Sequence, residues 1–243
     1  MACDKAGPGG PQANGFPARP FPVELRFALF DFDGVIADTE PLYIECDRKA
    51  LALLGYEATH EELRSFIGHP SEKMGPELLA RHGIHVTPQE FLAVWEGGRG
   101  IYGDPDLRPS PGLIELWNLL NKADVRIGVV SSTRCASLVL ALNRFGMLGL
   151  VDVMVGRELV SRHKPDPEPY LRALEWLAPG EGPKAAAHAI AFEDSAAGIA
   201  SAGAAGIHVV GYQGATETRD SPGADETISS FSEMAKRLVR DLP

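Results

Sequence analysis

FALFDFDGVIADTE, residues 27–40, is the stretch from which the rest of the chain can be read. Phe27, Ala28, Leu29 and Phe30 form a short apolar run that reads as a buried strand. Asp31 follows at once, then Asp33 and Gly34, so two carboxylates stand where the strand ends. In an open α/β sheet, the strand ends are where ligands bind. Paired acids beside a glycine at that edge suit a cation site joined to acid–base or nucleophilic chemistry, although Asp-x-Asp-Gly is also an ordinary turn. The choice depends on whether matching groups follow other strands.

With 243 residues, 44% of them hydrophobic and 23% charged, the chain is globular and long enough for one α/β domain carrying an insertion. A formal net charge of −10 argues against nucleic acid or an anionic membrane as partner, while small anions can still bind where a few cations converge. Cys3, Cys46 and Cys135 form no Cys-x-x-Cys pattern, which points to neither disulfides nor zinc and fits a reducing, cytoplasmic setting. Residues 1–24 are rich in Gly and Pro and read as a flexible tail rather than a signal peptide. No stretch approaches the roughly 18 apolar residues of a membrane helix. No sustained heptad pattern is present, and a monomer is expected.

Beyond Asp38 the apolar period changes. Leu42 to Leu54 comes close to helical spacing and stops at Gly55; His60–Ile67 is a short helix ending at Gly68; Ser71–His82 is another, with Pro76 tolerable only near its start. Thr87-Pro88-x-Glu90 is a capping box opening a further helix. Residues 39–108 are therefore expected to be all-helical, with 97–111 as a return linker. Strands then alternate with helices: strands at Val125–Val130, Val151–Val155, Ala187–Phe192 and Ile207–Val210, and helices at Gly112–Asn121, Cys135–Arg144, Glu168–Leu177, Ala196–Ala202 and Phe231–Leu242. Alternation of this kind predicts a doubly wound, Rossmann-like parallel sheet, built from 25–38 and 109–243. From Phe30 to Val125 the chain runs far beyond the roughly 30 residues of a βαβ unit, so 39–108 is an inserted helical cap.

Four strand ends carry polar groups: Asp31 and Asp33, then Ser131 with Ser132, then Lys164 in SRHKPDPEPY, then Glu193 and Asp194. Taken singly, Ser131 and Asp194 look like helix caps and Lys164 like a solvated loop residue. Together they converge on one sheet edge, and the set suits phosphoryl transfer. A phosphate dianion approaching an ionised Asp is repelled by about 4 kcal/mol per pair of unit charges at about 4 Å and an effective dielectric of about 20. A divalent cation on Asp31 and Asp194, with the Lys164 ammonium, offsets this, and oxygen-only ligands favour magnesium.

The strings DFDGVIADTE, VVSS, HKPDPEPY and FEDSAAGI, in this order, resemble the haloacid dehalogenase-like hydrolases of the phosphatase and β-phosphoglucomutase-like branch with a helical cap. That resemblance implies a Mg2+-dependent phosphatase acting on a small phosphorylated metabolite such as a sugar phosphate or a phosphoglycolate-like acid. Asp31 would be the nucleophile forming an aspartyl-phosphate, and Asp33 the general acid and base. Asp31, the Asp33 backbone carbonyl, Asp194 and Glu193 would hold the metal, and Ser131, Ser132 and Lys164 the phosphate. β-Phosphoglucomutase-like members carry an Arg three residues after a glycine equivalent to Gly68. Here Ser71 stands there, with His69 and Lys73 as specificity candidates, which favours hydrolysis over mutase chemistry. Thr39 and Glu40 are candidate hinge residues. A non-enzymatic receiver-like phosphoacceptor also uses acids, a hydroxyl and a Lys on a doubly wound sheet, but it needs neither the second acid nor an insertion.

Overall fold

The computed structural model describes residues 18–67, 69–95, 100–214 and 222–241. Among the described residues, strand β1 (Phe27–Phe30) is followed by the helices α1 (Glu40–Leu53), α2 (His60–Arg64), α3 (Ser71–Arg81) and α4 (Pro88–Val94). Then come α5 (Leu113–Lys122), β2 (Arg126–Val130), α6 (Cys135–Arg144), β3 (Val153–Val155), α7 (Glu168–Leu177), α8 (Pro183–Ala186) and β4 (Ala189–Glu193). Helix α9 (Ala196–Ala204), β5 (His208–Tyr212), β6 (Glu226–Ile228) and α10 (Phe231–Asp241) complete the order. The chain divides into two compact units, one taking in residues up to Asp38 and from Arg108 onward, the other Thr39–Leu107.

In the first unit the strands form one parallel sheet ordered β3-β2-β1-β4-β5-β6. The order reverses between β1 and β4, which opens a crevice at the carboxyl ends of those two strands. Alternate side chains of β1 face opposite ways. Phe27 and Leu29 join a core with Tyr170, Leu174 and Leu177 of α7 and Ile199 of α9. On the other face Phe30 stacks on Phe192 at 4.6 Å between ring centres and packs against Trp117 of α5 at 5.2 Å and Phe231 of α10 at 6.3 Å. Both faces are thus covered, which is why β1 is apolar at every position. Each fully buried large side chain contributes about 1.5–3 kcal/mol, so these two layers carry much of the stability.

The insertion leaves and returns at adjacent points. Ala37 bridges Pro109, the Ser110 amide donates to the Ile36 carbonyl at 2.8 Å, and the Ser110 hydroxyl donates to the Val35 carbonyl at 2.7 Å. Such a close exit and entry lets a long insertion interrupt β1 and β2 without disturbing their register.

Several elements depart from the sequence expectation. Strand β3 begins at Val153 because Leu148–Leu150 forms a 3-10 turn and the Asp152 carboxylate turns back onto the Ile127 amide at 2.8 Å. Strand β4 starts later than expected, since Ala187 still donates to the Lys184 carbonyl behind α8, and it runs on to include Glu193. Helix α8 and strand β6 carry too few residues to show a period. Residues 18–24, expected within a flexible tail, are instead tied down. Arg19 pairs with the buried Asp225 at 2.8 Å, its carbonyl accepts from His208 Nδ1 at 2.7 Å, and Phe21 meets the His208 ring edge-on. Residues 1–17, like Gly68, Glu96, residues 97–99 of the expected linker and Leu242 of the expected last helix, lie outside the described residues. No helix among the described residues is long and apolar enough to cross a membrane.

The second unit packs α1, α3 and α4 around Leu51, Leu79 and Phe91. Gly75 is required in α3, because a Cβ there would fall 2.2 Å from the Phe91 ring. Both Thr59 and Thr87 head capping boxes, with Glu62 and Glu90. Pro76 lies inside α3, further from its start than the sequence suggested, and its missing N–H forgoes a bond to the Glu72 carbonyl on an exposed residue.

One acid is buried in this unit. Asp47 of α1 is 2% exposed, accepts from Trp95 Nε1 at 2.7 Å and is hydrogen-bonded by Ser71 at the start of α3. Burial pushes its pKa up to about 6, against the pull of those two donors, with Glu40 adding to the rise. The folded chain therefore keeps this proton to higher pH than the unfolded chain does. Stability is highest below the unfolded pKa and falls as pH rises through about 6. Asp47→Asn keeps an acceptor for Trp95 and removes the ionisation. Urea denaturation should show it more stable than wild type at pH 7.5 by about 2–3 kcal/mol, with the difference vanishing near pH 4. A constant difference across that range would contradict this account of Asp47.

Candidate active site

The site is built at the crevice between β1 and β4. The ladder of these strands extends one residue past β1, where the Asp31 amide donates to the Phe192 carbonyl at 3.0 Å. Asp31 is thereby fixed at the strand end, 8% exposed, beside Glu193 at 0% and Asp194 at 5%. One carboxylate oxygen from each of these three acids lies within 4.8 Å of the others.

Backbone geometry makes this approach possible. After Asp31 the chain turns tightly, with the Ile36 and Ala37 amides both donating to the Phe32 carbonyl. Gly34 sits in that turn at φ +80, and a Cβ on it would lie 2.0 Å from Asp194 Oδ2. Only glycine meets both demands. Likewise, a Cβ on Gly198 in the first turn of α9 would fall 1.9 Å from Glu193 Oε2, so α9 can start directly against that carboxylate. Ser195 caps this helix by accepting from the Gly198 amide at 3.1 Å.

Lys164 reaches the same place from the loop before α7. That loop is anchored by the Ser201 hydroxyl, which donates to the Asp166 carbonyl at 2.6 Å, and by Glu168, which accepts from the Ser161 and Arg162 amides. Those backbone donors hold the Glu168 carboxyl down to about 2. The Lys164 ammonium then meets Val130 O at 2.9 Å, Glu193 Oε1 at 2.5 Å and Asp31 Oδ1 at 3.1 Å. Its three N–H groups are thus committed to the ends of β2, β4 and β1. Burial opposes its charge, but Asp31 and Glu193 outweigh burial and raise its pKa, so it stays an ammonium ion. Burial pushes Glu193 up to about 8 against the pull of Lys164, with Asp31 adding to the rise. One cation among three buried acids leaves the cluster short of positive charge.

At the end of β2, Ser131 is 5% exposed; its amide donates to the Val155 carbonyl at 3.0 Å and its Oγ accepts from the Thr133 amide at 3.0 Å. Ser132 is exposed at the tip of the same turn. The amide of Cys135, at the start of α6, is taken by Glu158 Oε1 at 3.0 Å. Half-buried Asp33 accepts from the Thr133 hydroxyl at 2.8 Å.

The structure therefore brings Asp31, Asp33, Lys164, Glu193 and Asp194 to one sheet edge, with Ser131 and Ser132 on the neighbouring strand end. Thr39 and Glu40 begin the helical unit, where Thr39 is buried without a side-chain cap bond to α1. His69 and Lys73 are exposed beside and within the first turn of α3. Sequence reasoning missed two contacts: Thr133 on Asp33, and Tyr170 of α7, whose hydroxyl donates to Glu193 Oε1 at 2.5 Å. Both residues adjoin strings already singled out, Thr133 after VVSS and Tyr170 at the end of HKPDPEPY.

Three carboxylates are hard oxygen donors, and the shortage of positive charge among them fits a hard divalent cation of the magnesium type. Residues 28–212 match the family model described as haloacid dehalogenase-like hydrolase, and the chain belongs to that family. A phosphorylated carbohydrates phosphatase of Thermotoga maritima is 31% identical over 184 residues, 75% of this chain and 82% of that protein. Validoxylamine A 7'-phosphate phosphatase of Streptomyces hygroscopicus subsp. limoneus is 31% identical over 211 residues, 86% and 95% of the two chains. The solved structure of a candidate beta-phosphoglucomutase from Thermotoga maritima is 28% identical with a TM-score of 0.74, covering 89% of this chain and 99% of its own.

The electrostatic role of Lys164 can be measured. Lys164→Met strands two buried carboxylates without their cation, and urea denaturation at pH 7.5 should show a loss of about 3–5 kcal/mol. Added Mg2+ should recover part of that loss by returning positive charge. Unchanged stability would mean that the three acids do not depend on this ammonium.

Proposed function

We propose that this haloacid dehalogenase-like hydrolase is a Mg2+-dependent phosphatase that hydrolyses a small phosphorylated metabolite, a sugar phosphate by preference, through an aspartyl-phosphate on Asp31. The observation that carries the reading is the convergence of Asp31, Lys164, Glu193 and Asp194 at the β1–β4 crevice. The similarity to a phosphorylated carbohydrates phosphatase and to a validoxylamine A 7'-phosphate phosphatase supports a small phosphorylated metabolite as substrate.

In this reading Asp31 attacks phosphorus from a carboxylate oxygen while Asp33 protonates the departing oxygen. Asp33 then takes a proton from the water that cleaves the acyl phosphate. Thr133 steadies Asp33 for both steps through its 2.8 Å bond. Lys164, with its donors already committed, acts on the phosphoryl group as a positive charge behind Asp31, while Ser131 and Ser132 line the phosphate side of the pocket. Asp31, Glu193, Asp194 and the Asp33 carbonyl would hold the divalent cation, which would supply the charge that lets a dianion approach. The helical unit serves as the cap that selects substrate, through candidates His69 and Lys73, and it moves about Thr39 and Glu40.

Kinship with a candidate beta-phosphoglucomutase makes phosphoryl transfer between sugar positions the second reading. Against it, Ser71 occupies the position of the mutase arginine and is buried, with its hydroxyl spent on Asp47.

A panel of phosphorylated metabolites scored by inorganic phosphate tests the proposal. Asp31→Asn should abolish release, Asp33→Asn should lower it by about 10²–10⁴-fold with phosphate analogues still bound, and Asp194→Asn should raise the Mg2+ requirement. Wild-type turnover from Asp31→Asn or Asp33→Asn, or an unchanged Mg2+ requirement in Asp194→Asn, would overturn the assignment. Rapid isomerisation of β-glucose 1-phosphate in the presence of glucose 1,6-bisphosphate, with no free phosphate, would establish the mutase instead.

A further inference from the structure

Tyr170 is fully buried in the layer between α7 and the sheet, where a phenylalanine would fill the same space. Its hydroxyl is not idle. It donates to Glu193 Oε1 at 2.5 Å, the same oxygen that Lys164 Nζ reaches at 2.5 Å, and Lys164 Nζ lies 5.4 Å from the centre of the Tyr170 ring. One carboxylate oxygen therefore receives two short donors, one of them charged, from residues six apart on a single loop and helix. Among the described residues the other, Oε2, meets only the Ser195 hydroxyl, at 3.5 Å. A carboxylate oxygen with two such donors has little lone-pair capacity left for a metal. Glu193 has no freedom to swing elsewhere, because the first turn of α9 closes against its face at Gly198.

We infer that Tyr170 is a positioning residue for the cation site: its hydroxyl, together with Lys164, saturates Oε1 of Glu193 and so fixes the carboxylate with Oε2 as the oxygen left to the metal. This rests on the reading of Asp31, Glu193 and Asp194 as the cation site. The role differs from packing, since only the hydroxyl is involved. It also differs from catalysis, since Tyr170 acts through Glu193.

The test is Mn2+ binding to metal-free protein without substrate, followed by electron paramagnetic resonance of the free ion. Tyr170→Phe should raise the Kd about tenfold while circular dichroism stays as in wild type. Leu174→Ala, in the same core cluster but without a bond to the carboxylate, should lower the melting temperature and leave the Kd unchanged. In a Glu193→Gln background, adding Tyr170→Phe should cause no further loss. A wild-type Kd in Tyr170→Phe would overturn the inference, as would an equal shift in Leu174→Ala or additive losses in the double variant. Failure of the wild-type protein itself to bind Mn2+ would instead overturn the cation site on which the inference stands.

Discussion

The Lys164 ammonium holds the working edge of this molecule together. Three carboxylates gathered in a crevice from which water is largely excluded repel one another, and burial alone would drive protons onto them. Lys164 answers by bonding simultaneously to the last carbonyl of β2, to Asp31 after β1 and to Glu193 at the end of β4. A single buried charge thus ties three strand ends from the centre of the sheet. Its own burial is offset because every donor is used. The compensation is incomplete, since Glu193 remains pushed up to about 8. Carboxylates left short of positive charge in this way are hard oxygen donors suited to a divalent cation.

The backbone around the site serves that crowding. Gly34 and Gly198 are the places where a turn and a helix start touch the carboxylates of Asp194 and Glu193, and a methyl group at either would displace the acid it faces. These contacts lie where the strand order reverses between β1 and β4, so the crevice follows from topology. The inserted helices form a compact unit of their own. There, Ser71 is spent inside the helical core on Asp47 together with Trp95, a polar junction of α1, α3 and the end of α4. A buried acid at this junction makes the helical unit sensitive to pH near 6 for reasons unconnected with the reaction.

The doubly wound sheet, the helical insertion and the acids Asp31, Asp33, Glu193 and Asp194 were legible in the chain itself. Apolar runs, helical spacing and the placing of polar residues at run ends are local patterns, imposed wherever a segment must bury one side or both. Strand β6 and helix α8 were not legible, because three or four residues carry no period. Neither was the docking of residues 18–24, which continue a Gly- and Pro-rich segment that reads as tail while Arg19 finds a buried partner at Asp225, far along the chain. Thr133 and Tyr170 escaped for a related reason. A threonine beside a serine pair and a tyrosine on an apolar helix face look ordinary until the acid each one serves is placed opposite. Sequence by itself determined which groups are available and which strand each follows, since those are properties of neighbours. Only the tertiary structure decided that one ammonium serves two acids, that one phenol donates to the second of them and that Thr133 meets Asp33, because hydrogen bonds across 20 to 100 residues depend on how β1, β2 and β4 are laid side by side.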